Sequence, residues 1–175
     1  MSLDRINKLA EKYEFRTILK SEAKQTVEIE QICFPPNEAC SEKHMNERVN
    51  AAPEMFLVAI DKQTGKIAAF INGLSTNEDV FRDEFFTEVS LYNPNGKNIM
   101  ILGVDVLPEH RMIGLATELM RRYVLKAKDE NRKALFLTCL ADKVEMYKKM
   151  GYEDKGISGS AWGGEEWHDM LYILR

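Results

Sequence analysis

Cysteine is scarce: Cys33, Cys40 and Cys139 are the only three among 175 residues, and they are scattered along the chain. They are too few and too irregularly spaced for a disulfide framework or a zinc site, so they read as reduced thiols and no metal is expected. No apolar run approaches the roughly 18 residues that a membrane-spanning helix needs. The opening MSLDRINKLAEKY is polar and has no signal-peptide core, which points to a cytoplasmic setting with no membrane partner. Positive charge is not in excess either, with 24 Lys and Arg against 28 Asp and Glu, a net charge of −4. That balance gives no basic footprint for nucleic acid and favours a cationic small molecule over an anionic one. A GxGxxG fingerprint is missing, as are repeats and low-complexity tracts, so an open dinucleotide-binding fold is excluded.

What is present is an ordinary globular composition, 45% apolar and 30% charged. The length suits a single domain over residues 1–175 that buries roughly 70% of its extended-chain surface. The stretch Ile99 to Arg132 organises the rest. Ile99 to Val106 is rich in β-branched and apolar residues and reads as a buried strand that stops at Leu107-Pro108. Pro108, Glu109 and His110 make a turn, His110 reading as a solvated turn residue. Leu115, Leu119, Met120, Tyr123, Val124 and Ala127 then fall at helical spacing, to about Glu130.

The junction is Arg111-Met112-Ile113-Gly114-Leu115-Ala116-Thr117. A glycine stands where the helix begins, and the first turn of a helix leaves amides without partners at the positive end of the helix dipole. Without a Cβ, Gly114 lets an anionic group approach those amides, and Arg111 adds a fixed positive charge beside them. The junction is thus a candidate phosphate seat, although strand–turn–helix joins with a glycine are common and most bind nothing.

Along the chain, Met1 to Lys12 reads as a short helix or loose arm and Glu14 to Leu19 as a first strand. Glu22 to Phe34 reads as a helix stopped by Pro35-Pro36. Glu42 to Ala51 is a second helix, capped by Ser41. Met55 to Asp61 and Lys66 to Gly73 are strands joined at Lys62-Gln63-Thr64-Gly65, a hairpin signal. Leu74 to Lys97 is a polar insert with a short helix and a phenylalanine cluster, Phe81, Phe85 and Phe86. Ala134 to Cys139 is a buried strand, with Cys139 a packed thiol. Lys143 to Met150 is a helix capped by Asp142 and ended by Gly151 in a left-handed turn. Tyr152 to Ser158 and His168 to Leu174 form a last strand pair. The order makes an α/β (α+β) fold with a mixed central sheet, in which only the middle βαβ unit must be parallel.

Three segments carry a resemblance: Val104-Asp105-Val106-x-Pro-x-x-Arg-x-x-Gly-x-Ala, the strand ALFLTC, and Met146-Tyr147-Lys148-Lys149-Met150-Gly151-Tyr152. Together they resemble the GNAT N-acetyltransferases, whose acetyl-coenzyme A motif, Arg/Gln-x-x-Gly-x-Gly/Ala, is met by Arg111, Gly114 and Ala116. The family's closing Tyr-x-x-x-Gly-aromatic segment is met by Tyr147, Gly151 and Tyr152. Over roughly Val27 to Leu174 the chain is also similar to the serotonin (arylalkylamine) N-acetyltransferase branch, through IEQICFPP, APEMFLVAI and IAAFING.

The resemblance implies acetyl transfer from acetyl-CoA to a primary amine, and a sheet flanked by helices whose strand at Val104, Asp105 and Val106 splays from Leu135 to Cys139. The pantetheine arm would lie in the gap, and the pyrophosphate on the amides of Met112, Ile113, Gly114, Leu115, Ala116 and Thr117. Backbone N–H near Val104 to Val106 would polarise the thioester carbonyl. Tyr147 matches the family's general acid towards sulfur, against a plain reading as a core tyrosine at a helix end. Phe34, Pro35, the insert phenylalanines, Trp162 and Trp167 would form the acceptor pocket. Aromatics suit an arylalkylamine but are more often simple packing.

The branch carries two histidines where this chain has Met100 and Leu102, which cannot take a proton. Asp105, Glu30, Glu88 and His168 remain as base candidates, the last three reading as surface residues, and deprotonation through water or by solvent is equally open. Arylalkylamines or polyamines lead as acceptors. A protein N-terminus or lysine, and a non-catalytic acyl-CoA-binding module, are the alternatives. The chain would be a monomer or a homodimer.

Overall fold

A computed structural model describes residues 1–175. The polar first residues form helix α1 (Leu3–Lys12), not a loose arm. Its start is capped by the Ser2 hydroxyl, which accepts from the Arg5 amide at 3.4 Å, and its buried Leu9 anchors it to the core. Strand β1 (Tyr13–Thr17) leads to helices α2 (Ala23–Cys33) and α3 (Glu42–Ala51), the second capped by Ser41 as its sequence signals. The hairpin β2 (Phe56–Asp61) and β3 (Lys66–Thr76) comes next. β3 runs past Gly73 because Leu74, Ser75 and Thr76 pair with Met100, Ile99 and Asn98. The insert is correspondingly shorter, and its expected helix is two 3-10 turns, Asp83–Phe86 and Val89–Leu91.

Strand β4 (Asn98–Val106), helix α4 (Leu115–Asp129) and strand β5 (Ala134–Cys139) form the central unit. Helix α5 (Val144–Lys149) and the strands β6 (Glu153–Ile157) and β7 (His168–Ile173) complete the chain. Asp142 does not cap α5. It lies in a preceding 3-10 turn, bonded to Lys143, and that turn feeds the helix directly. Gly151 does end α5 in the left-handed region, at φ 99°.

The seven strands form one sheet in the order β1-β2-β3-β4-β5-β7-β6, with β4–β5 the sole parallel pair. One face is covered by the apolar stripe of α4 (Leu115, Leu119, Met120, Tyr123) together with Leu9 of α1. Under α2 and α3 a second, smaller cluster gathers Val27, Ile29, Met45 and Val49 over Phe56, Val58 and Phe70.

Strand β4 is irregular on both sides. Opposite β3 the register shifts between Asn72 and Gly73, pairing Asn72 with Gly103 and Gly73 with Ile101, so that Leu102 is left without a partner. Towards β5 the pairing is brief: Asn98, Ile99 and Met100 meet Ala134, Leu135 and Phe136, and nothing pairs beyond them. From Ile101 onward the two strands diverge, which leaves one edge of β4 with unpaired amides and carbonyls.

Candidate active site

The divergence of β4 from β5 opens a cavity of about 410 Å³ that reaches from the strand gap to the α2–α3 loop and the β6–β7 connection. Leu102, Gly103 and Val104 line one side, and Leu137, Thr138 and Cys139 the other. Tyr147 of α5 lines the cavity and is itself buried, its ring set edge-on to Tyr152 at 5.7 Å. Burial, with the neighbouring Cys139 and Asp105, pushes the Tyr147 hydroxyl well above the ordinary tyrosine range. It therefore holds its proton at neutral pH. Burial also pushes the Cys139 thiol up to about 12, so it is a packed thiol and no nucleophile.

The outer wall is aromatic. Phe34, Pro35, Trp162 and Trp167 line the cavity, joined by Phe86 from the insert. Phe86 stacks on Trp162 at 4.7 Å, whereas Phe81 and Phe85 turn away into the core. The indole N–H of Trp162 donates to the Glu38 carbonyl at 2.8 Å, and that of Trp167 to the Trp162 carbonyl at 2.9 Å. The Trp162 handle thus ties the β6–β7 connection to the α2–α3 loop and the Trp167 handle closes that connection on itself, leaving ring surface for the cavity.

At the other end of β4 lies the glycine junction. Gly114 adopts φ 89°, a left-handed conformation that favours glycine. Glu118 donates the first helical bond of α4, to the Gly114 carbonyl at 3.0 Å, so the amides of Leu115, Ala116 and Thr117 have no helical partner. Met112 stands 96% exposed and Ile113 is exposed beside it, leaving the turn open to solvent. The Arg111 side chain does not lie along these amides. Its Nε donates to the Val106 carbonyl at 2.8 Å, close to Cys33, whose Sγ shares that acceptor.

A cation at the turn comes from elsewhere. Arg5 of α1 donates through Nε to the Ile113 carbonyl at 2.9 Å and through Nη2 to the Met112 carbonyl at 3.4 Å. A β-carbon on Gly114 would sit 2.8 Å from Arg5 Nε. His110 is not a solvated residue: its Nδ1 meets the Tyr13 hydroxyl at 2.7 Å, fixing the same turn to β1. Nothing in the spacing around Arg5 or Tyr13 signals either contact.

The acids divide sharply. Glu88 is exposed, and His168 is held by Asp154 at 3.1 Å; neither lines the cavity. Glu30 is no surface residue. It is buried, lines the cavity and accepts the Cys40 amide at 2.9 Å. One signal could have found it: Glu30 stands three residues after Val27, on the apolar face of α2. Asp105 is fully buried next to it, and Arg48 of α3 lines the same cavity.

A splayed parallel pair, a proton-holding tyrosine at its mouth and an open left-handed glycine turn at a helix start coincide in one unit. The model of the acetyltransferase (GNAT) family matches residues 23–152, most of the chain. This chain belongs to the GNAT family. It is a GNAT-family acyl-CoA-dependent N-acetyltransferase with the fold of that family. The loading GNATL domain of CurA from Lyngbya majuscula is similar at TM-score 0.79 and 13% identity, over 93% of this chain and 98% of that one. Ard1 from Thermoplasma volcanium is similar at TM-score 0.70 and 17% identity, over 93% and 98%. A phosphinothricin acetyltransferase from Sinorhizobium meliloti, in complex with AcCoA, is similar at TM-score 0.67 and 14% identity, over 93% and 89%. At these identities the likeness is one of fold. No curated protein matches the chain in sequence.

The residues present fit an acyl-CoA. The unpaired edge of β4 offers backbone groups to an amide-bearing arm, and the Gly114 turn offers unpartnered amides to phosphate.

Proposed function

We propose that this transferase acetylates the primary amine of a small molecule, with arylalkylamines, the acceptors of the serotonin N-acetyltransferase branch, and polyamines leading. The observation that carries the reading is the aromatic end of the cavity, lined by Phe34, Phe86, Trp162 and Trp167. Glu30 and Glu38 in the same lining suit a cationic ammonium group.

Acetyl-CoA supplies the activated acetyl group. Val104, Asp105 and Val106 hold the pantetheine arm along the open edge of β4, and a backbone N–H of this segment polarises the thioester carbonyl. The turn Arg111 to Thr117 seats the pyrophosphate. Tyr147 gives its proton to the departing sulfur, the role its buried and protonated hydroxyl suits. Three free thiols fit a reducing cytoplasm.

Thiol release from acetyl-CoA with a panel of arylalkylamines, polyamines, aminoglycosides and peptide N-termini tests the reading. Turnover confined to aromatic amines or polyamines supports it, and turnover only on peptides replaces it with protein acetylation. Tyr147→Phe is expected to keep coenzyme binding and to lose on the order of 10²-fold in kcat. Unchanged turnover in that variant sinks the role of the hydroxyl, and tight coenzyme binding with no transfer to any amine favours a binding module.

A further inference from the structure

Two acids beside the aromatic wall, Glu30 and Asp105, have side chains with no part in the acetyl-transfer steps assigned to the β4 backbone, the glycine turn and Tyr147. The buried Glu30 bonds through Oε1 to the Cys40 amide, leaving Oε2 free. Asp105 stands behind it on β4, completely buried, and neither of its carboxyl oxygens meets an N–H or hydroxyl donor. Gly103 brings them together. From the point a β-carbon on Gly103 would occupy, Asn72 Nδ2 and Asp105 Oδ2 are each 3.0 Å away and Glu30 Oε2 is 3.6 Å away; the Asn72 amide is buried close by but donates to neither acid.

The charges facing this pair are few. From α3 comes Arg48, buried, with Nη1 on Asn72 Oδ1 at 3.1 Å and Nη2 on the Phe86 carbonyl at 2.7 Å. α2 and its adjoining loop contribute Cys33 and Cys40, both held as thiols by burial, the second pushed up to about 11. Arg111 lies beyond Cys33, Glu47 beyond Cys40, and Tyr147 of α5 faces Asp105 as a neutral hydroxyl. One buried guanidinium therefore faces two buried carboxyls.

Two bare carboxylates would leave one negative charge uncompensated and Asp105 without a single donor, which a protein interior does not tolerate. One proton removes both difficulties. It turns Asp105 into a donor towards Glu30 and leaves the pair with a single negative charge opposite Arg48. Burial raises both carboxyls, and Glu30's charge raises Asp105 further, while the Cys40 amide and then the bond from Asp105 offset part of the rise at Glu30.

We propose that Glu30 and Asp105 form a proton-sharing carboxyl pair that deprotonates the acceptor's ammonium group, Glu30 as the base facing the cavity and Asp105 as the positioning residue behind it. The proposal rests on the amine acetylation reading and supplies the base that the missing histidines leave open. In the step, an N–H bond of the ammonium breaks with its electron pair staying on nitrogen, and an O–H bond forms on Glu30. Asp105 keeps its own proton, and Glu30 returns the one it has gained to water before the next turnover.

Wild type, Glu30→Gln and Asp105→Asn are compared in two ways. An infrared titration of the coenzyme-free protein tracks the carbonyl stretch of protonated carboxyls. The expected result is a buried protonated carboxyl in wild type at neutral pH that is absent from Asp105→Asn. Its absence from wild type overturns the shared proton. The second measurement is the pH profile of kcat/KM, with whichever amine of the panel is turned over fastest. Glu30→Gln is expected to lose on the order of 10²-fold and to flatten the acid limb, with the KM for acetyl-CoA unchanged. Undiminished turnover in Glu30→Gln overturns the base role alone.

In Asp105→Asn the strong O–H donor to Glu30 is gone, so the acid limb moves to higher pH. A move to lower pH means that both carboxyls were ionised, which overturns the pair. No thiol release by wild type with any amine overturns the transferase reading and the base role with it, while the infrared result is read separately.

Discussion

Glu118 and the Glu30–Asp105 pair are all buried carboxyls, yet their surroundings are opposite. Glu118, in the first turn of α4, is fully buried and receives Arg121 Nε at 2.7 Å and Arg122 Nε at 2.6 Å. Burial pushes its carboxyl up, but the two guanidinium bonds outweigh that and hold it below the ordinary glutamate range. Arg122 then lays its guanidinium over the Phe15 ring at 4.1 Å, so the charge cluster also packs α4 against β1. The cavity pair has one amide and one more distant guanidinium for two carboxyls. The Glu118 arrangement is satisfied and inert. The cavity arrangement is under-satisfied, so it readily gains or loses a proton, as acid–base chemistry requires.

The sharpest way to break this contrast is to remove one carboxylate from each side. Glu30→Gln is expected to reduce kcat/KM on the order of 10²-fold without lowering the midpoint of a urea melt. Glu118→Gln is expected to leave turnover intact and to cost about 1–2 kcal/mol of stability in the same melt, a value reduced because both arginines are partly solvated. If the two variants exchanged these signatures, the division between a structural and a working acid would be wrong.

The pH dependence of stability sharpens it further. Glu118 is depressed in the folded state, so its contribution is present above the ordinary glutamate value, near about 4.3, and is lost as the pH falls below it. Asp105 is raised, so its folded form holds a proton that the unfolded chain releases. Its contribution is full below about 3.9 and declines as the pH rises towards the folded value. Chemical melts of Asp105→Asn from pH 4 to pH 9 are expected to gain on wild type as the pH rises, by about 1.4 kcal/mol for each unit by which the folded carboxyl is raised. A constant difference across that range would mean that Asp105 is ionised in the fold. A smaller effect is expected at the other end of the site, where Gly114→Val should weaken acetyl-CoA binding about tenfold through left-handed strain and the Arg5 contact. Unchanged affinity would remove the phosphate seat.

The order of elements was legible in the sequence because it rests on local signals. The helical spacing of Leu115 to Ala127, the Pro35-Pro36 stop and the Lys62–Gly65 turn each act over a few residues. The parallel placement of β4 and β5 follows from the order of elements, and their splaying from the family resemblance. Phe34, Pro35, Tyr147, Trp162 and Trp167, the residues to which the family resemblance points, all line the same cavity. What was not legible involves distant partners. Arg5 meets Ile113 across 108 residues, Tyr13 meets His110 across 97, and Trp162 meets Glu38 across 124.

The sequence by itself determined the strands and helices, their order and the glycine turn, because short-range sterics and hydrophobic period suffice for these, while the reading of that turn and of Tyr147 as acyl-CoA machinery came from the family resemblance of their motifs. Only the tertiary structure decided which acids are buried and which of them meet. Glu30 and Glu88 are chemically identical in the sequence, and α2 packing over a bulged β4 at Gly103 is what removes one of them from water and sets it against Asp105. Proton affinity depends on that desolvation and on the charges within a few ångströms, neither of which is a property of a residue's own place in the chain.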